Sequence, residues 1–269
     1  MHSEPRAEES RRAEAVADAL ADPKSRDHPG WVARVLGPVA RWLGPWATLT
    51  ATLAVGLLIV AAALSSFDEV WEWSRDATRT QQLDIPVHEW AIASRDGWLT
   101  GILTVITELA GKIGMPIFAA ALATLLCVTA RSWRPLLLVA IAAGGSLLLT
   151  TTLKTAAGRD RPPQSDALPP FESSPSFPSG HTLNAAVILL IVAYCCFLQI
   201  DQLAWRIVAY AGCFVFVLAV AWSRIYLGHH WLTDVVGAMA LGAAWAGVVI
   251  LGHQTFSTVR EYRKKRAAH

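Results

Sequence analysis

Charge is scarce in this chain and unevenly placed. Lys, Arg, Asp and Glu make up 16% of its 269 residues, whereas 54% are hydrophobic, and globular domains carry about a quarter charged residues. With a mean hydropathy of +0.38, the composition excludes an ordinary soluble domain. Cysteine is scarce too. Cys127, Cys195, Cys196 and Cys213 all fall inside apolar runs, with no spacing that suggests zinc. They read as small hydrophobes, so neither a disulfide nor a metal site is expected. No internal repeat is evident. A net charge of +2 says little about partners by itself, and no nucleic-acid partner is expected. Where the charges sit says more.

Taken in order, residues 1–29 are rich in Ala, Glu and Arg without a large apolar stripe, as in a solvated tail with a nascent helix around Glu8–Leu20. Over Gly30–Trp46 the residues Trp31, Val35, Leu36, Val39, Trp42 and Leu43 recur at helical spacing between Arg34 and Arg41. This suits a helix lying on a membrane surface, interrupted at Pro38, or a linker anchored by tryptophans. Ala47–Ser66 is an uncharged run of 20 residues, enough at ~1.5 Å per residue to cross a ~30 Å hydrocarbon core. The polar stretch ahead of it argues against a cleaved signal peptide. Residues 67–96 are polar again, and Trp98–Thr107 is apolar but short, which predicts an interfacial or partly inserted helix. Further spans are predicted at Ile113–Ala130, Pro135–Leu153, His181–Ile200, Trp205–Trp222 and Trp231–Leu251. The loop Lys154–Gly180 holds six prolines and cannot be helical throughout.

The expected fold is therefore all-α, an integral membrane bundle of six transmembrane helices with interfacial helices. Its expected organisation is a cytoplasmic tail at 1–45 with a candidate membrane-surface helix, a six-span domain at 46–252 with an extracytoplasmic region at 67–112, and a basic cytoplasmic tail at 253–269. Arg131, Arg134 and Arg206 in the short turns, and Arg260, Arg263, Lys264, Lys265 and Arg266 in the tail, all fall on one side of such a bundle. The positive-inside rule assigns that side, with both termini, to the cytoplasm of a cell-membrane protein. Lys154, Arg159, Arg161 and Arg224 then lie on the opposite, extracytoplasmic face, against the rule. An anionic ligand is the expected reason.

Three clusters share that face. Lys154 and the run Arg159-Asp-Arg161-Pro162 combine a point charge with planar forks able to grip phosphate oxygens, although basic residues that end a span are commonly snorkelling anchors. Pro178-Ser179-Gly180-His181 opens a span. Ser179 is a good N-cap, Gly180 admits a ligand to the backbone, and free N–H groups at a helix start favour an anion. His181 stands where it could protonate a leaving oxygen. In Ser223-Arg224…His230…Asp234, Arg224 and Asp234 are the only formal charges between Ile207 and Gly252, and charge at that depth marks a functional site. His230 and Asp234 are one helical turn apart, so the carboxylate can orient the ring and leave its other nitrogen free to attack or take a proton. His229, five positions from Asp234, is the weaker candidate and reads as a spacer or as a group that supports the site from behind.

Together the clusters follow the pattern K-x6-R-P, P-S-G-H and S-R-x5-H-x3-D without departure at any defined position. Over roughly residues 98–252 the chain resembles the type 2 phosphatidic acid phosphatase superfamily, which includes lipid phosphate phosphatases and polyprenyl pyrophosphate phosphatases. The resemblance implies a metal-independent phosphatase with a phosphohistidine intermediate and no cofactor. On it, His230 attacks phosphorus, Asp234 steers its ring, and His181 serves the leaving group and then water. Lys154, Arg161, Arg224, Ser179 and Gly180 would hold the phosphoryl oxygens, with Arg159 as an optional helper. A site at the ends of several spans suits a substrate whose tail stays in the bilayer. Phosphatidic acid, phosphatidylglycerol phosphate and undecaprenyl pyrophosphate remain equally open. A lipid or anion transporter using the same charges is the alternative of another class, though binding alone has no need of a nucleophile.

Overall fold

The computed structural model describes residues 30–267, with side chains over residues 49–261 and at 263 and 264. The expectation for Glu8–Leu20 lies outside the described residues. The described residues fall into two compact units, residues 30–59 with 250–267, and residues 60–249.

Every regular element among the described residues is helical: α1 Gly30–Arg75, α2 Ala77–Arg79, a π turn Thr80–Asp84, α3 Ile85–Ala93, α4 Gly97–Leu109, α5 Gly114–Ala130, α6 Arg134–Ala157, a 3-10 turn Gln164–Asp166, α7 Gly180–Gln199, α8 Leu203–Tyr226 and α9 Leu232–Ala267. Among the described residues, five segments are long and apolar enough to cross a membrane: Leu49–Arg75, Arg134–Ala157, Gly180–Gln199, Leu203–Tyr226 and Leu232–Glu261. The sixth crossing needs α4 and α5 together, a pair bent by 66°. At 13 residues α4 reaches only about 20 Å, as its short apolar run predicted.

Two boundaries differ from expectation. No break occurs at Pro38, because α1 runs unbroken from Gly30 to Arg75 and takes in the first part of the stretch read as polar loop. Likewise α9 continues through residue 252 to Ala267, so the basic tail begins as an extension of the last span. Proline removes its own amide donor and crowds the carbonyl four residues back, yet the helix continues past it, and charge at a span's end is no barrier to helix once the chain has left hydrocarbon.

In the unit 60–249, α7 is the central helix. It packs on both α6 and α8, and 67% of its apolar window is buried, against 17% for α8. Small residues let α9 come close. A Cβ on Gly145 would stand 2.1 Å from the Trp245 ring, and one on Gly242 would stand 2.8 Å from Ala186 Cβ. Trp245 Nε1 donates across this contact to the Ala142 carbonyl at 3.0 Å. Close backbone approach of this kind replaces the hydrophobic drive that lipid does not supply. Outward, Val105, Ile117, Val128, Leu148 and Phe214 are all exposed, an apolar surface that fits a bilayer and not water.

Candidate active site

Four helix ends meet at one place: α6 ends at Ala157, α7 begins at Gly180, α8 ends at Tyr226 and α9 begins at Leu232. The α8–α9 turn depends on Gly228, whose φ of +78° favours glycine. A Cβ there would also lie 2.5 Å from the Asp166 carbonyl oxygen. Arg95 holds the same corner, donating from Nε to the Tyr226 carbonyl at 2.9 Å and from Nη2 to the Asp166 carbonyl at 2.7 Å. The turn sets His229 and His230 just ahead of α9.

His230 is buried, its side chain 1% exposed. Nδ1 lies 3.2 Å from Asp234 Oδ2, and that oxygen also accepts from the Trp231 amide at 2.9 Å and from the Ser176 hydroxyl. With Nδ1–H donating to a carboxylate, Nε2 keeps its lone pair. Nε2 faces Arg161 Nη1 at 3.4 Å. Burial first, then the charges of Arg161, Arg224 and Lys154, hold the His230 pKa well below its ordinary value, with Glu172 opposing. Both effects favour the neutral imidazole over the imidazolium.

Glu172 joins the cations. Its Oε1 accepts from Arg224 Nη2 at 2.7 Å, its Oε2 from Arg161 Nη2 at 3.3 Å, and Oε1 lies 3.7 Å from His181 Nδ1. Burial works against its ionisation, but Arg224, His181 and Arg161 outweigh it and draw the carboxyl down to about 2. An ionised carboxylate thus sits where two guanidinium forks and a histidine converge. Arg224 is 3% exposed, donates from Nη1 to Thr107 Oγ1 at 2.8 Å, and leaves its buried Nε without a partner. Arg161 is braced by the carbonyls of Ser174 and His229, each at 2.7 Å. Lys154 Nζ donates to the Pro175 carbonyl, and burial first, then Arg224, lowers the His229 pKa to about 4.

The residues expected from the sequence are therefore gathered: Lys154, Arg161, Arg224, His181, His230 and Asp234 share one cluster, with Ser179 and Gly180 on its edge. Ser179 differs in detail. It occupies the N-cap position of α7, but its side chain makes no capping bond and its hydroxyl accepts from Thr182 Oγ1 at 3.1 Å. A Cβ on Gly180 would stand 3.2 Å from Thr150 Cγ2, so the lack of a side chain here also serves packing. The His229 carbonyl accepts from Arg161 Nη1. Sequence reasoning missed Glu172, Ser176, Thr107 and Asp84. The bend between α4 and α5 contributes as well, since a Cβ on Gly111 would lie 3.6 Å from His181 Nε2.

The PAP2 superfamily model matches residues 135–257. Phosphatidylglycerophosphatase B of Bacillus subtilis (strain 168) is 30% identical over 192 residues, which is 71% of this chain and 88% of that protein. The chain belongs to the PAP2 superfamily. A crystal structure of a transmembrane PAP2-type phosphatidylglycerolphosphate phosphatase from Bacillus subtilis superimposes with a TM-score of 0.65 at 28% identity, over 71% of this chain and 94% of that one. A putative undecaprenyl-diphosphatase of Escherichia coli (strain K12) is 28% identical over 134 residues, 46% of this chain and 62% of that protein. Fold, multi-pass membrane character and phosphatase family thus agree with the reading of the PAP2 motifs.

Proposed function

We propose that this PAP2 protein hydrolyses lipid phosphates through a phosphohistidine intermediate formed on His230. One observation carries the reading. His230 is held at Nδ1 by a buried carboxylate, while its Nε2 faces Arg161 beside an anion bridged between Arg161 and Arg224. Phosphoryl transfer is mostly positioning plus compensation of charge on the equatorial oxygens. With the phosphoryl group in the place now held by the Glu172 carboxylate, Arg161, Arg224 and Lys154 would hold its oxygens. Nε2 then attacks phosphorus as the bond to the lipid oxygen breaks, and the leaving oxygen takes a proton from His181. In the second step water gives a proton to His181 and attacks phosphorus, the N–P bond breaks, and inorganic phosphate leaves with His230 restored. Three fixed cations supply the charge that a metal ion supplies elsewhere, so turnover is expected to survive chelation.

The substrate class is a lipid monophosphate or diphosphate. The names of the relatives put phosphatidylglycerol phosphate and undecaprenyl pyrophosphate first in the panel, with phosphatidic acid beside them. By the distribution of Arg and Lys, the site opens away from the cytoplasm. The test is release of inorganic phosphate by purified protein from each lipid, with and without chelator. Wild type should release phosphate in both conditions and His230→Ala should not. Release that survives His230→Ala removes the nucleophile, and lipid movement without phosphate release points to transport instead.

A further inference from the structure

Asp84 and Arg159 lie outside the defined positions of the three motifs, yet they form the most buried ion-pair network of the site. Asp84, at the end of the π turn, is 0% exposed. Its Oδ2 lies 2.6 Å from Arg159 Nη2. Its Oδ1 accepts from the Thr233 amide and Oδ2 from the Thr233 hydroxyl, both at 2.9 Å. The other arm of the fork, Arg159 Nη1, donates to Asp234 Oδ1 at 2.6 Å and to Thr233 Oγ1 at 2.7 Å. Thr80 Oγ1 at 3.4 Å and the Trp231 ring at 6.0 Å from Cζ complete its surroundings.

Two consequences follow. Both arms of Arg159 are committed to carboxylates, so it has no arm left for a substrate oxygen, unlike Arg161 and Arg224. Secondly, a buried ion network is weak evidence for stability, since apolar residues of similar volume often serve as well. Its geometry points elsewhere. Arg159 takes Asp234 Oδ1, which leaves Oδ2 for His230 Nδ1, the Ser176 hydroxyl and the Trp231 amide. A carboxylate gripped on one oxygen cannot rotate to offer the ring a different partner.

We propose that Asp84 and Arg159 are positioning residues of the phosphoryl transfer: Asp84 fixes the Arg159 fork, Arg159 fixes Asp234, and Asp234 thereby locks His230 in the Nδ1–H tautomer. The reaction in this statement rests on the phosphatase reading above; the tautomer does not. The logic is that of the outer partners of functional histidines generally, which set ring orientation without touching substrate. Besides Asp234, the charged groups acting on His230 are Arg161, Arg224, Lys154 and Glu172, and none of them contacts Nδ1.

The test uses the full chain in detergent. Asp84→Asn and Arg159→Gln should each lower kcat by roughly 10–100-fold, the usual cost of removing such a partner, with KM nearly unchanged. Because Asp84 acts through Arg159, the double variant should be no worse than the poorer single one, as members of one unit behave. Histidine-selective 15N NMR at neutral pH gives a readout independent of turnover. The resonances lost in His230→Ala should report one Nδ1–H tautomer in wild type and a mixture in both variants. Arg159→Lys keeps the buried charge, and with it the fold, but cannot span both carboxylates, so its kcat should fall below wild type. Losses that multiply in the double variant, a raised KM with kcat preserved, wild-type kcat in Arg159→Lys, or an unchanged tautomer would each overturn the proposal. If wild type releases no phosphate from any lipid, the phosphatase reading falls while the tautomer measurement still decides this one.

Discussion

Glu172 carries a full charge in a place where three positive side chains would otherwise face one another. On the proposed mechanism a substrate phosphate would need the same donors, so the carboxylate would have to leave before chemistry begins. Glu172→Gln should therefore bind vanadate, a phosphate mimic, about tenfold more tightly, a change of ~1.4 kcal/mol, measured as a Ki against lipid phosphate turnover. Weaker vanadate binding would show that Glu172 supports the cradle instead of competing for it. The histidines make a second prediction at this scale. His230 and His229 have folded pKa values below the ordinary 6.5, from burial first and then neighbouring cations. Below about pH 6.5 the unfolded chain binds protons that the folded protein refuses, so stability rises with pH there and is lost on acidification. Glu172 adds a loss of the same sign between its usual value of 4.5 and about 2. Unfolding temperature in detergent should decline from near pH 6.5 downward, and less steeply in His230→Gln. A level profile between pH 7 and 5 would contradict the burial argument.

At the scale of elements, the turn between α8 and α9 and the contact between α6 and α9 are the sensitive points. Gly228→Ala places a side chain at a φ of +78° and against the Asp166 carbonyl. Left-handed backbone alone costs an L-residue about 1–2 kcal/mol, and the displaced turn carries His230 with it. Phosphate release should drop by at least tenfold while the protein still folds; wild-type turnover would show that the turn has slack. Gly145→Val drives a branched side chain into Trp245 and should lower the unfolding temperature without changing the pH profile. These elements also mark how far the sequence could be read. Long apolar runs announced α6 to α9, because lipid demands uninterrupted helices of a set length. The bent pair α4–α5 was half visible as a run too short to cross. The continuity of α1 through Pro38 was not, since an interior proline ordinarily kinks or ends a helix and this one does not. Motif spacing named the eight expected site residues because each is tied to a helix end by short local offsets. Glu172 sits in a proline-rich loop without periodicity, and Asp84 reaches Arg159 from 75 positions away. Only tertiary structure brings such pairs together.

For the molecule as a whole, the positive-inside rule predicts the turn at 201–202 on the cytoplasmic side and the 154–180 loop on the other. Ser165→Cys and Gln202→Cys, both at exposed positions, should differ towards a membrane-impermeant maleimide: the first labelled on intact cells, the second only once the cells are opened. Ser165→Cys is expected to react from outside; the reverse pattern would invert the topology and put the chemistry in the cytoplasm. An outward-facing site, as proposed, would bear on the Glu172 carboxylate described above. The fluid beyond the membrane is full of small anions, and each would have to evict a resident that is tethered in place and never diffuses away. A lipid confined to the leaflet meets the cradle again and again at high effective concentration, whereas a free ion arrives with its charge alone. If the proposed orientation and phosphate site hold, the built-in counter-ion is expected to act as a threshold that favours membrane-anchored phosphates over dissolved ones before any contact with the lipid tail is made.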